Sequence, residues 1–394
     1  MTTSAAVAVE ELLSESVGAA AERERTEFDR IAGPHLTSIV LFGARKMGQK
    51  ALAGLRRAGI EPLAFSDNNP SIWGECIDGV PVFSPADAAA RFGNSAVFVM
   101  AIWGHGSADP MGDRQQRLRE LGCRRVSSFG PLFWKYAEVF LPQIPALDLP
   151  HKVLEQADAV RKAFAVLADE RSRREYIAQL RWRLWFDFDA LPDPVQQPIY
   201  FPGDVVALRD DEVYVDCGAY DGDTILDFLK RCDHKFRRVI AFEPDAVSLG
   251  QLRRRLAELP EAVRERVRVV AAATGAEPGA VRFAATGGLG SAAGQGDLEV
   301  PLVTLDESLA GESPTYIKIY IEAAEPDTLL GARNVIGRHA PVLAVCAYHR
   351  QNHLWRLPNL ICDLNADYRV FLRPHIQQVE DLVCYAVPPQ RSLV

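Results

Sequence analysis

Short apolar blocks alternate along the chain with longer stretches at helical spacing, a rhythm that predicts strands alternating with helices. Ser38 to Phe42 (SIVLF) is the first block, and Gly43 to Gly48 (GARKMG) is a turn opening a helix through Arg56. Pro62 to Phe65 follows as a second strand that closes in SDNNP. VPVFSP and Ala96 to Ile102 continue as strands, and Asp113 to Leu121 as a helix. This predicts a doubly wound, Rossmann-like domain over residues 36–145, preceded by a helical segment at 1–35 that ends near Gly33-Pro34. Pro142 to Pro150 closes that domain, and residues 146–200 read as a helical connector whose Trp182, Trp185 and Phe186 serve as core aromatics.

From Glu212 the α/β pattern restarts, defining a domain at 201–394. Its expected strands are Val213–Asp216, Arg238–Phe242, Val267–Ala271, Pro301–Leu305, Tyr316–Ile321, Val342–Ala347, Arg369–Arg373 and Leu382–Val387. Its expected helices are Thr224–Lys230, Ala246–Leu259 and Pro326–Ile336. The fold class is therefore α/β, with two doubly wound Rossmann-like domains, the second ending in an antiparallel strand pair.

Composition narrows the function. The 394 residues carry 44 basic and 52 acidic side chains, a formal charge of −8, which argues against a broad nucleic-acid or anionic-membrane surface. No apolar run reaches the roughly 18 residues of a membrane span, and the N-terminus has no secretory pattern, so a cytoplasmic protein is expected. Seven scattered cysteines without a C-x-x-C pair predict reduced thiols rather than a disulfide framework. His349 and His353 stand four apart, but a turn-rich stretch with Trp355 and Pro358 is expected after them, so no metal is expected.

The turn after the first strand of the second domain reads V-D-C-G-A-Y-D-G-D-T, Val215 to Thr224. Gly218 and Gly222 let backbone approach a ligand at the carboxyl end of the strand. The dinucleotide fingerprint G-x-G-x-x-G is absent. Asp216, Asp221 and Asp223 would repel a pyrophosphate and suit a cation. S-adenosyl-L-methionine (SAM), with its sulfonium and ammonium groups, fits that charge. Glu243, 27 residues beyond Asp216 at the end of the second strand, suits the two ribose hydroxyls, with Pro244 stopping the strand behind it. Asp221 and Asp223 also have a plainer reading as helix caps.

The stretch from about Tyr200 through VYVDCGAYDGDT and Glu243-Pro244, VTLDE (Val303 to Glu307), YIKIYIEAAE (Tyr316 to Glu325) and AYHR resembles the FkbM-type SAM-dependent methyltransferases. About half the chain is covered, with the motifs in order. The resemblance implies a class I methyltransferase fold, whose sheet ends in an antiparallel pair, and O-methylation of a hydroxyl on a sugar, nucleotide-sugar or secondary metabolite. Asp216, Gly218, Ala219, Tyr220, Asp221, Gly222, Thr224, Glu243 and Pro244 would hold SAM. The family pattern K-x-D-x-E-G-A-E reads here K-I-Y-I-E-A-A-E, with Tyr320 for the acid and Ala323 for the glycine. That departure raises the alternative of a weakened or inactive homologue that binds a nucleotide-sugar.

An acceptor hydroxyl must lose its proton, and His349 and Glu322 are the base candidates, both at carboxyl ends of strands. Lys318 joins the catalytic candidates, read as paired to a buried acid such as Glu322, and Glu325 reads as a helix N-terminal residue. ATGGLGSAAGQG, between Phe283 and Gly296, reads as a lid over the acceptor. In the first domain Gly43, Arg45, Lys46 and Gly48 could bind phosphate at a helix N-terminus, with Asp67 placed for a ribose. That domain looks like nucleotide-sugar-associated domains, and an oligomer is compatible with the chain.

Overall fold

The computed structural model describes residues 2–102, 111–143, 146–283, 298–376 and 379–393. They divide into two compact units, residues 3–157 with 177–191 and residues 158–176 with 192–394. The division differs from the expected boundaries at 35, 145 and 200. Helix Val17–Ala32 buries Ala20, Phe28 and Ala32 inside the first unit, so the N-terminal segment is not separate. The connector is shared between the units: Trp182 and Phe186, with ring centroids 4.8 Å apart, pack with Phe129 in the first unit's core.

The first unit holds strands β1 (Ile39–Phe42), β2 (Ala64–Ser66), β3 (Cys76–Ile77), β4 (Val80–Phe83), β5 (Val97–Met100) and β6 (Arg125–Ser128), in the order β3-β4-β2-β1-β5-β6. All pairings are parallel except the β3–β4 hairpin, turned by Asp78 and Gly79 at positive φ. Progression reverses between β1 and β5, which opens a crevice at their carboxyl ends. Strand β6 escapes the apolar pattern because its sequence is RVSS.

The second unit holds β7 (Val213–Cys217), β8 (Arg238–Phe242), β9 (Val267–Val270), β10 (Ala273–Thr274), β11 (Gly279–Phe283), β12 (Leu298–Val303), β13 (Tyr316–Ile319), β14 (Val342–Cys346), β15 (Arg369–Pro374) and β16 (Leu382–Val387). Seven of them form one sheet in the order β15-β16-β14-β13-β7-β8-β9, parallel except that β16 runs against both neighbours. This is the expected fold class, with its switch point between β7 and β13. β12, anticipated as part of the main series, pairs with β10 and β11 in a separate three-stranded sheet.

Three local expectations change. Strand β13 stops at Ile319, two residues early, because Glu322 and Ala323 adopt positive φ and turn the chain. The helix anticipated over Pro326–Ile336 is two helices, Glu325–Leu330 and Arg333–His339. The stretch after His353 is not turn-rich but a helix, His353–Leu364, which accommodates Pro358 in its interior. The Phe283–Gly296 lid lies at and beyond the edge of the described residues. No helix among the described residues is long and apolar enough to cross a membrane, and all seven cysteines are free thiols.

Candidate functional site

The site of the second unit is built where β7, β8, β13 and β14 end. Gly218 leaves β7 at φ +83°, and its amide and that of Ala219 both donate to the Phe242 carbonyl of β8 at 3.0 Å. A Cβ on Gly218 would stand 1.9 Å from the Tyr320 carbonyl oxygen, so only glycine lets the turn lie against the end of β13. Tyr220 follows at φ +48°. Gly222, at φ +88°, leads into helix Asp223–Arg231 beneath Leu252, whose Cδ1 a Cβ would approach to 2.7 Å.

Glu243 closes this turn. One carboxylate oxygen accepts the Tyr220 amide and the other the Asp245 amide, both at 2.7 Å. Each oxygen keeps a further lone pair. The residue is only 6% exposed, and burial raises its carboxyl to about 7 against the relief from those two amides. Pro244 separates Glu243 from Asp245, which accepts the Val247 and Ser248 amides and caps helix Ala246–Ala257.

The three aspartates of the turn are partnered within the protein. Asp216 lies beside Lys318 in the β7–β13 register, and the two form a buried ion pair at 2.8 Å. Lys318 also donates to the Gly218 carbonyl at 2.7 Å, and the Tyr214 hydroxyl donates to Asp216 at 3.2 Å. The expected Lys318–Glu322 pairing is therefore replaced by Lys318–Asp216, which the parallel register sets. Burial opposes charge on Lys318, but Asp216 holds its ammonium above the ordinary lysine value. Asp221 accepts Arg255 at 2.8 Å, and Asp223 accepts the Thr224 amide and hydroxyl.

A second cluster stands at the ends of β13 and β14. His349, 1% exposed, has Nδ1 2.7 Å from Glu325 Oε1 and Nε2 3.9 Å from Glu322 Oε2. Glu325 is wholly buried, and its Oε1 also accepts the Ile321 amide at 3.0 Å. It opens a helix, as expected, yet faces inward to the histidine. Burial drives the Glu325 carboxyl up, but His349 and its other partners bring it to about 2. His349 is raised because Glu325 outweighs burial. Burial raises Glu322. The rings of Tyr320 and Tyr348 lie 5.0 and 4.5 Å from that of His349, and the Tyr348 hydroxyl donates to that of Tyr320 at 2.9 Å. Glu325, Tyr348 and His353 were missed as site residues. The E-x-x-E spacing of Glu322 and Glu325 in the loop after a strand was the one available signal. Among the described residues no group of three or more histidine, cysteine or acidic side chains is placed to hold a metal.

In the first unit Gly43, at φ +111°, leaves β1 with its amide on the Ser66 carbonyl, and a Cβ there would meet the Ala101 carbonyl oxygen at 2.8 Å. A Cβ on Gly48 would stand 1.9 Å from the Gly43 carbonyl, which seats helix Lys46–Arg57 against the turn. Asp67 accepts the Ala44 and Asn69 amides, both at 2.8 Å. Arg45 and Lys46 are exposed at the helix start.

A sheet of this order, with an acid at the second strand end and a glycine turn at the first, defines the second unit as a class I methyltransferase fold. Residues 216–375, within the second unit, match the family model of the Methyltransferase FkbM domain. Methyltransferase FkbM from Methylobacillus flagellatus KT is similar over 95% of this chain and 99% of its own, at 23% identity and a TM-score of 0.76, which shows a shared fold. An rRNA methylase from Streptococcus thermophilus (16% identity, TM-score 0.31) covers 46% of this chain and 89% of its own. Aeropyrum pernix fibrillarin, solved with S-adenosyl-L-methionine, covers 46% and 69% at 9% identity and a TM-score of 0.31. No curated protein matches the chain.

Proposed function

We propose that the second unit is a SAM-dependent O-methyltransferase acting on a hydroxyl of a sugar, nucleotide-sugar or secondary metabolite, with His349 as the base. The observation that carries the base assignment is the unpaired, buried Nε2 of His349 at the carboxyl end of the sheet, on a ring already held by Glu325.

The residues present fit the cofactor. Glu243 offers two carboxylate oxygens with lone pairs left for two ribose hydroxyls, which amides alone would not exhaust. SAM supplies a methyl group already activated on a sulfonium. This chain's residues do the rest. Gly218, Ala219, Tyr220 and Gly222 shape the turn, Asp216 and Lys318 pin it to β13, and Asp221, Asp223 and Thr224 fix the following helix. Pro244 sets Glu243 at the crevice edge. Positioning supplies much of the rate in such an in-line displacement, and His349 or, from 3.9 Å away, Glu322 takes the acceptor proton. Tyr320 removes a negative charge from the acceptor side and leaves a phenol whose proton is free to donate, because its oxygen accepts from Tyr348.

Incubation with SAM and a panel of hydroxylated glycans and metabolites, followed by detection of S-adenosylhomocysteine, tests the reading. Turnover that falls at least 100-fold in His349→Gln, with SAM binding kept, is expected. Undiminished turnover in that variant removes His349 from the role. A second reading has the specific support of Asp67 and Gly43, which reproduce the acid-and-turn device in a basic setting. It makes the first unit a nucleotide-sugar site and the second a weakened transferase. Micromolar binding of a nucleotide-sugar, abolished in Asp67→Ala, with no turnover on any acceptor, would favour it.

A further inference from the structure

Oε2 of Glu325, Nε2 of His349 and Nδ1 of His353 lie in one cluster, and none has a hydrogen-bond partner. The three residues are at most 1% exposed. Buried polar atoms left without a hydrogen bond weaken a fold, so this cluster is held at the expense of stability. Glu325 is the hub. Its Oε1 is fixed by the Ile321 amide and meets His349 Nδ1 at 2.7 Å, while Oε2 stands 3.5 Å from His353 Nδ1.

We infer that Glu325 is a positioning residue for methyl transfer: it accepts the Nδ1–H of His349 and so presents Nε2 as the free lone pair on the side of Glu322. The inference rests on His349 being the base. A neutral imidazole carries its proton on one nitrogen, and the partner of the other nitrogen decides which. A fixed carboxylate against Nδ1 selects the tautomer whose Nε2 accepts. Glu322 at 3.9 Å is too far to take Nε2 for itself. In the transfer, the hydroxyl proton passes to Nε2 as the acceptor oxygen bonds the methyl carbon. The electron pair of the broken carbon–sulfur bond stays on sulfur, giving neutral S-adenosylhomocysteine. Glu325 keeps its charge throughout and stabilises the imidazolium that forms.

The charged surroundings of His349 are acidic: Glu325, Glu322 and Asp381 all favour its protonated form. His353, which Glu325 also faces, is driven down to about 4 chiefly by burial, with Arg350 and Arg356 adding to the effect of His349. Of the two histidines that face Glu325, His349 is therefore the one that takes up a proton first as pH falls.

The test is histidine 15N NMR of the cofactor-free full chain, wild type and Glu325→Gln, with pH–rate profiles of both on whichever acceptor turns over. The wild type is expected to show His349 protonated at Nδ1 when neutral. In Glu325→Gln its titration midpoint should fall by at least one pH unit, the acidic limb of the rate profile should move with it, and kcat should fall more than KM changes. A wild-type His349 carrying its neutral-form proton on Nε2 overturns the inference, and that result needs no variant to fold. An unshifted midpoint in a folded Glu325→Gln does so as well. Full activity in His349→Gln would remove the base reading, whereas the tautomer result alone judges the contact with Glu325.

Discussion

The first turns of the two units share one backbone device and differ in charge. In each, a glycine at positive φ leaves the first strand (Gly43, Gly218), its amide donates to the last carbonyl of the second strand, and a Cβ on it would strike the carbonyl oxygen of the residue just after the strand across the switch point. In each, the acid just after the second strand accepts one amide from the turn and one from two residues further on. The charges around this skeleton are opposite. Arg45 and Lys46 stand exposed in the first turn, whereas the second carries Asp216, Asp221 and Asp223 and pins one of them on a buried lysine. The position of Asp216, two before the glycine, is Leu41 in the first unit. On the proposed reading, the shared backbone geometry serves a nucleoside in both crevices, and side-chain charge selects its appendage, anionic in the first and cationic in the second.

The largest expected effect separates the two units by their buried charge. Lys318→Met leaves Asp216 buried without a counter-charge, and thermal or urea unfolding should show a loss of about 3–5 kcal/mol. The double variant Asp216→Leu, Lys318→Met restores the apolar character of the first unit and should recover most of it. A neutral Lys318→Met would show that the pair does not anchor the turn. The glycines come next. Gly218→Ala meets backbone at 1.9 Å and should cost more than about 3 kcal/mol, while Gly43→Ala meets the Ala101 oxygen at 2.8 Å and the adaptable Ile102 side chain at 2.7 Å, and should cost less. Equal losses would mean that the two turns relax alike.

The second crevice should also be pH-sensitive. Burial raises Glu243 to about 7, and on the proposed reading only its ionised form would accept both ribose hydroxyls. Affinity for SAM should therefore be full above pH 7 and be lost as pH falls through it, about tenfold between pH 8 and pH 6. A flat calorimetric profile would detach Glu243 from the ribose. The smallest effect is a gain. Ala323 sits at φ +85° where the family pattern has glycine, and Ala323→Gly should stabilise the protein by about 1 kcal/mol in chemical denaturation.

Much of this architecture was legible in the sequence. Strands buried on both faces, such as Val213–Cys217 and Val342–Cys346, are apolar but for Asp216 and were placed within a residue or two. Polar β6 and the Pro358-containing helix were not, because neither shows the local pattern that tertiary packing supports there. Candidate site residues at strand ends were legible for the same reason as the strands, and their partners were not. Lys318 meets Asp216 because β7 and β13 lie side by side in register, and Glu325 meets His349 because β13 and β14 do. Register between separate strands leaves no mark on either segment alone.

On the proposed reading the acidic crevice of the second unit, not the basic one of the first, holds SAM. Calorimetric titration with SAM of the wild type, Glu243→Ala and Asp67→Ala tests it most directly. Micromolar binding that survives Asp67→Ala and disappears in a folded Glu243→Ala is the predicted result. Binding that is lost in Asp67→Ala and kept in Glu243→Ala, or absent from the wild type, would contradict it.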